Sequence, residues 1–301
     1  PVQYVNGKVW VNNHAHVLKP KVGLDIDYLC YSLMFYKVDG LINGATRKKL
    51  TQAAMRKMQI PFRSIKEQIH IVNELNRIIK IKEKRQEELK LLDNLIKARF
   101  VEMFGDVIHN DRKWECRKFS DITASRLGKM LDTKHQTGTC QYSYLANFNV
   151  QWFGFELKNL NKMDFNEKDR EEFCLEDGDL LVCEGGEIGR CAVWHNQVEN
   201  CFFQKALHRV RCNQEIILPD YLAWWFKYNC DHGGFVAIEG AKATISHLTG
   251  AKMKMLNVTV PPIGLQKQFT SFVNQVDKSK VVITNIRIFV RTTVERIEVK
   301  K

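Results

Sequence analysis

The chain repeats itself, and that repeat limits the architectures open to it. Asp27-Tyr28-Leu29 returns as Asp220-Tyr221-Leu222, 193 residues later, and each triplet opens an apolar, helix-like run, 30–36 and 223–228. A glycine-containing loop follows in both places, Ile42-Asn43-Gly44-Ala45 and Ile238-Glu239-Gly240-Ala241. Leu50-Thr51 then matches Leu248-Thr249, and Met55 matches Met253, 198 residues on. Ile60-Pro61-Phe62 with Gln68 matches Val260-Pro261-Pro262 with Gln268, 200 residues on. Four matches in one order, drifting by only a few residues, mark a duplicated domain. A period of about 200 residues is too long for a solenoid. The complete copy runs from near Gly105 to Lys301. By the same arithmetic the first copy begins about 95 residues ahead of Pro1, so the chain is expected to open inside its first domain.

Each copy closes on a long helix. Ile65, Ile69, Val72, Leu75 and Ile79 step by three and four after Pro61, and Leu89, Leu92, Ile96, Phe100 and Met103 resume the stripe. Between them, 82–88 is polar but rich in helix formers. No proline or glycine interrupts 64–104, which predicts one helix of about 40 residues and about 60 Å. In the second copy Leu265, Phe269, Phe272, Val276, Ile283, Ile286 and Val290 keep similar spacing. Helices this long need a partner. The two are expected to pair as an antiparallel coiled coil.

The stretch between them, 114–260, reads as short strands with one or two helices. Glu176-Asp177-Gly178-Asp179 is a turn into the strand Leu180-Leu181-Val182-Cys183, and Gly185-Gly186-Glu187-Ile188-Gly189 turns the chain back into 190–194. Residues 201–210 look extended, and Pro219 starts a helix. The fold class is α+β. The predicted division is 1–63, the C-terminal part of a first domain; 64–104, a spacer helix; 105–262, a complete second domain; and 263–301, a second spacer helix.

Charge narrows the partner. Against 34 Asp+Glu stand 46 Lys+Arg, a formal +12 on 301 residues, which favours a polyanion and first of all nucleic acid. The charge is also placed. Residues 40–66 carry Arg47, Lys48, Lys49, Arg56, Lys57, Arg63 and Lys66 with no acid, and 240–276 carry Lys242, Lys252, Lys254 and Lys267, again with none. Both tracts lie ahead of or at the start of a long helix, as a repeated phosphate-facing surface would. There is no apolar run of about 18 residues to span a membrane, and 1–11 lacks the pattern of a secretory leader. The nine cysteines form no C-x-x-C pair, so they are read as reduced, buried thiols of a cytoplasmic protein, with no metal site. His14 and His16 have no acid or cysteine nearby and are read as structural or DNA-proximal.

The run 178–190, Gly-Asp-Leu-Leu-Val-Cys-Glu-Gly-Gly-Glu-Ile-Gly-Arg, is similar to a glycine-rich hairpin of the DNA-specificity (S) subunits of type I restriction-modification enzymes. Val260-Pro261-Pro262 with Leu265-Gln266, and Ile60-Pro61-Phe62 with Glu67-Gln68, resemble that family's entry into its conserved helix. Residues 142–147 resemble an early strand of its target-recognition domain, and 125–130 lie where that domain starts. The resemblance covers essentially the whole chain, except the front of the first recognition domain. It implies a non-catalytic subunit whose two recognition domains each read half of a split site in double-stranded DNA. It also implies helices that set the spacing and dock two methyltransferase subunits, and through them the restriction/translocase subunits. S-adenosylmethionine, and ATP with Mg2+ for restriction, would belong to those partners; the chain itself would need no cofactor.

Base edges are read by Arg, Lys, Asn, Gln and similar side chains, while phosphate contacts position the protein. The candidate DNA-binding residues are Arg126, Lys129 and Lys134; Asn147, Asn149 and Gln151; and Gln204, Lys205, His208 and Arg209. Lys242, Thr244 and Ser246, with Arg47, Lys48 and Lys49 in the first copy, are the candidate phosphate contacts. Trp152, Trp224 and Trp225 are expected to pack in the core rather than to stack on bases. Enzymatic alternatives are weak. Pro219-Asp220 with Glu239-Gly240-Ala241-Lys242 is one residue too widely spaced for a nuclease site, Pro261-Pro262 lacks the flanks of an amino-methyltransferase motif, and 184–190 lacks a phosphate loop's Lys-Ser/Thr. The remaining alternative is a coiled-coil scaffold or adaptor with incidental basic charge.

Overall fold

The computed structural model describes residues 2–12, 14–42, 49–131, 136–235 and 247–299, with side chains of the last helix described as far as Thr284. The chain divides into two compact units, Pro1–Lys90 with Val281–Lys301, and Leu91–Lys280. The division falls within the two long helices, so each helix belongs to both units, whereas the sequence placed its boundaries at the helix ends.

In the first unit each helix starts on a side-chain cap. Asp25 accepts from the Tyr28 N–H and opens α1 (Ile26–Met34), and Thr51 accepts from the Ala54 N–H and opens α2 (Gln52–Met55). Ser64 and Glu67 cap each other at the head of α3 (Ile65–Phe104). Gln68, fully buried, donates to the carbonyls of Gly23 (2.9 Å) and Arg63 (2.7 Å) and accepts from the Asp25 N–H (2.8 Å). The Tyr28 hydroxyl donates to the Pro61 carbonyl at 2.9 Å.

The second unit follows the last turns of α3 with β1 (Glu115–Lys118), α4 (Phe119–Ile122), β2 (Thr123–Leu127) and β3 (Gln141–Leu145). A 3-10 turn (Asn147–Asn149) leads into β4 (Val150–Gln151), β5 (Gly154–Phe155), β6 (Asn161–Asp164) and α5 (Glu167–Phe173). Then come β7 (Leu180–Cys183), β8 (Cys191–Val193), β9 (Phe202–Phe203), β10 (Leu207–Cys212) and α6 (Pro219–Asp231). The unit closes with α7 (Gly250–Lys254), β11 (Asn257–Val260) and the first turns of α8 (Ile263–Val299). Proline occupies the first turn of α6, as expected.

An antiparallel sheet ordered β2-β10-β7-β8 forms the middle of the unit, and a second sheet ordered β6-β3-β9 pairs β3 with β9 in parallel. All four residues of β7 are buried, which is why its apolar run is continuous rather than alternating. Leu180 and Val182 join one core with Val210, α6 and the long helices; Leu181 and Cys183 join the other with Leu145, Phe202 and Phe203. The sheet is sandwiched, and the mixed class read from the sequence is the class found. Trp224 and Trp225 are buried and Trp152 is half-buried against the same core, so none is an open stacking platform.

Within this unit the two long helices lie side by side and antiparallel. Phe100 and Phe104 each meet Phe269 edge-on, with centroids 5.4 Å apart. The Arg99 guanidinium sits over the Phe272 ring, and Asp93 bonds Lys280 at 2.8 Å. Moving toward the N-terminus of α3 thus means moving toward the C-terminus of α8. Two cysteine assignments need correction. The described cysteines are all free thiols, but Cys116 and Cys140 are exposed, not buried. Both lie on or beside strands with one wet face. Burial pushes the Cys201 and Cys212 thiols up to about 12.

Candidate nucleic-acid interface

Five connections meet at one end of the second unit's sheets. The Gly128 N–H donates to the Leu207 carbonyl (3.0 Å), the Lys129 N–H to the Phe203 carbonyl (3.1 Å), and the Lys205 N–H to the Lys129 carbonyl (2.8 Å). The Gln204 N–H reaches the Leu145 carbonyl, the Glu184 N–H the Ala206 carbonyl, and the Leu248 N–H the Glu184 carbonyl. The segments after β2, β3, β7 and β9, and the one before α7, are therefore stitched together by backbone bonds. Gly128 is required here, because a Cβ would stand 2.4 Å from the Gln204 carbonyl oxygen. Ala206 closes the turn with φ +94°, a strained value for a residue with a side chain.

The structure brings most of the sequence candidates to this end, but gives them different tasks. Lys129 is held inward, its Nζ 2.6 Å from both the Asp164 carbonyl and the Asp169 carboxylate. Arg126 pairs with Glu172 and lies against Phe173. Arg209 donates to the carbonyls of Glu172 and Cys174 over the Phe203 ring. Burial and the neighbouring Arg211 lower its pKa. Asn147 bridges loops, donating to the Gly185 carbonyl (3.0 Å) and accepting from the Arg190 guanidinium (2.8 Å). Gln151 is exposed and donates to the Phe148 carbonyl, Gln204 is half-buried, and Lys205 is exposed. Among the described residues no ion pair engages Lys205.

Two candidates are buried in this structure. Asn149 is 1% exposed; its amide accepts from the Ala146 N–H and donates to the Glu156 carbonyl. It builds the turn. His208 is 3% exposed, beneath Gly250, and burial lowers its pKa. It faces the core side of β10, a matter of strand register that residue type does not reveal. Lys134, Arg47, Lys48, Lys242, Thr244 and Ser246 lie outside the described residues. Lys49 is exposed in the first unit.

Three residues at this end were not among the DNA-binding candidates. Phe148 is 57% exposed and Met130 61% exposed, and Arg190 holds Asn147 in place. Phe148 sits between two asparagines that were noticed; nothing in residue type separates an exposed aromatic from a buried one. Glu184 and Glu187 are the acids of this end, and Glu187 accepts from the Trp152 indole at 2.6 Å. His14 and His16 are exposed, and no His/Cys/Asp/Glu group fit to hold a metal occurs among the described residues. An open hollow of about 430 Å³ beside α5, lined by Tyr142, Arg170, Cys174 and Phe202 among others, includes none of the candidate residues. No described helix is long and apolar enough to cross a membrane.

A family model described as the type I restriction modification DNA specificity domain matches residues 1–91 and 111–288. The chain belongs to the type I restriction-modification DNA specificity family. Recognition of target DNA is that family's role. A relative of this specificity chain, described as a putative type I restriction enzyme specificity subunit of Haemophilus influenzae, is 24% identical over 285 residues, 91% of this chain and 70% of its own. The HsdS subunit from Thermoanaerobacter tengcongensis shares the fold at a TM-score of 0.50 and 15% identity, over 90% of this specificity chain and 66% of that one. The S subunit from M. genitalium does so at 0.51 and 15%, over 89% and 72%. A chain from a structure concerning complex assembly and conformational transition of the type I R-M system reaches 0.57 at 14%, over 90% and 67%. This specificity chain thus spans about two thirds of the length of the structures it matches. One matched stretch falls in the part before Gly105 and the other after it.

Proposed function

We propose that the second unit reads one half of a split site in double-stranded DNA through the loop end built by 128–131, 146–151, 184–190 and 204–206. The observation that carries this reading is the convergence of exposed Lys205 and Gln151 with the bridged Asn147 on one stitched frame. Lys205 supplies phosphate attraction. Gln151 supplies an amide of the kind that reads base edges. Arg126, Lys129 and Arg209 act from behind, fixing the strands that carry the loops.

The long helices are the spacer and the docking rail. Leu91 (59% exposed), Leu95 (47%) and Val101 (43%) leave apolar surface on α3 within the second unit, as a protein-binding helix does. Two methyltransferase subunits are the proposed partners, with restriction/translocase subunits joining through them. The chain then carries no reaction of its own and works in the cytoplasm. S-adenosylmethionine, and ATP with Mg2+ for restriction, serve the partners. The test is binding competition with the purified chain–methyltransferase complex against a random duplex pool. The reading expects a reproducible enriched motif and charge-dependent affinity that falls on reversal of Lys242, Lys252 and Lys254. Retained affinity in that variant, with no enriched motif, would favour the scaffold reading.

A further inference from the structure

Phe148 is the large apolar side chain at the proposed DNA-reading end that the fold holds out in water on a fully clamped turn. It is 57% exposed at the middle of the Asn147–Asn149 turn. On one side Asn149, buried, binds the Ala146 N–H at 2.8 Å and the Glu156 carbonyl at 2.9 Å. On the other, Asn147 is fixed to the Gly185 carbonyl and to Arg190. From below, Gln151 donates to the Phe148 carbonyl at 2.9 Å. A turn built only to reverse the chain would place a polar residue at its open position. Three amides and a guanidinium here fix the backbone of a turn that carries an aromatic one.

The neighbours leave it room. Gly185 and Gly186 run beside Asn147, and a Cβ at Gly186 would already reach its Oδ1 at 3.7 Å. At Gly185 a Cβ would stand 2.9 Å from the His247 ring. The loop beside Asn147 is thus glycine backbone on the turn's side, where a duplex can approach closely. Proteins that open a base step use a rigid apolar side chain among polar groups, with Phe, Leu, Ile and Met as the recurring wedges. We propose that Phe148 is such a wedge: it enters a groove of the bound half-site, partly unstacks one base step and bends the duplex there. The proposal rests on the DNA-reading end described above and adds to it a specificity device that reads deformability rather than base edges.

The experiment uses the chain in complex with its methyltransferase subunits and a duplex enriched by the wild-type complex from a random pool. Affinity over unselected duplex is measured together with the end-to-end distance of that duplex by energy transfer. Phe148→Ala is expected to lose about tenfold in affinity for the selected duplex and to leave it straighter. Phe148→Leu is expected to stay within about threefold and to keep the bend. Both variants should assemble normally, because the ring supports no core. A selected duplex bound equally well and equally bent by Phe148→Ala overturns the wedge. So does a loss of affinity without straightening, or Phe148→Leu failing as Phe148→Ala does. If the wild-type complex enriches no motif, the DNA-reading assignment itself fails, a result distinct from these.

Discussion

Gln68 and Gln266, 198 residues apart, are one residue used twice. Gln266 donates to the carbonyls of Pro261 (2.7 Å) and Ile216 (3.0 Å) and accepts from the Leu218 N–H (2.8 Å). Gln68 does the same to Arg63, Gly23 and Asp25. In each copy the side chain joins the first turn of a long helix to the N-cap residue of an earlier helix, Asp25 of α1 or Leu218 of α6. Tyr28 and Tyr221 repeat the pattern, donating to the carbonyls of Pro61 and Thr259. The duplication is thus conserved as a set of bonds within the chain, beyond a likeness of letters.

Replacing either glutamine with leucine removes a fully buried amide and strands three backbone groups. Gln266→Leu is expected to destabilise the second unit by about 2–4 kcal/mol, read as a lower denaturant midpoint. Gln68→Leu should act on the first unit by a similar amount. Two resolved transitions, each moved by its own variant, are the expected record.

The spacer pair depends on aromatic contact. Phe100 is buried among Phe104, Tyr221, Trp224 and Phe269. Phe100→Ala is expected to cost about 3–5 kcal/mol. Combined with Phe269→Ala it should cost less than the sum, because the two rings share a contact. A double-mutant cycle by urea unfolding measures the coupling.

The duplication and the spacer helices were legible because both are patterns of period and spacing that local physics enforces. The hairpin around β7 was legible too, since glycine turns and a doubly buried strand write themselves into composition. The repeat alone misplaced the buried glutamine: matching the prolines paired Gln68 with Gln268, whereas the bonds pair it with Gln266, as the helix-entry motif does. What fixes that position is its distance from the strand end and from the preceding helix cap, a tertiary quantity. The burial of Asn149 and His208 was hidden for a related reason. Polar type suggested readers, but the turn consumed one amide and strand register turned the imidazole inward. Phe148 and Arg190 were not among the candidates because exposure and cross-loop bonding have no local signature.

Strain at Ala206 should be removable. At φ +94° a side chain is disfavoured, so Ala206→Gly is expected to stabilise the second unit by about 1 kcal/mol, offset in part by the flexibility glycine adds to the unfolded chain. An unchanged or lower melting temperature would contradict the assignment of strain to this turn.

Acid should weaken the second unit partly through His208. Burial holds its imidazole below the ordinary value of 6.5, with Glu184 and a Leu248 backbone bond pulling the other way. As pH falls past 6.5 the unfolded chain takes up the proton first, so the fold loses stability from there down through the lower folded value. His109, raised by its bond to Asp106 and by that acid's charge, acts in the opposite sense. His208→Leu is therefore expected to shrink the drop in unfolding midpoint between about pH 7.5 and pH 5.5. An unaltered drop would mean that other groups carry the acid sensitivity.

Whether one loop end of the second unit chooses the DNA is decided by a single selection experiment. The chain–methyltransferase complex, wild type and with Lys205→Ala and Gln151→Ala together, is used to enrich duplexes from a random pool. Wild type is expected to yield a motif and the double variant degeneracy confined to one block of that motif, while the complex still assembles. An undiminished motif from the double variant would contradict that role of the loop end.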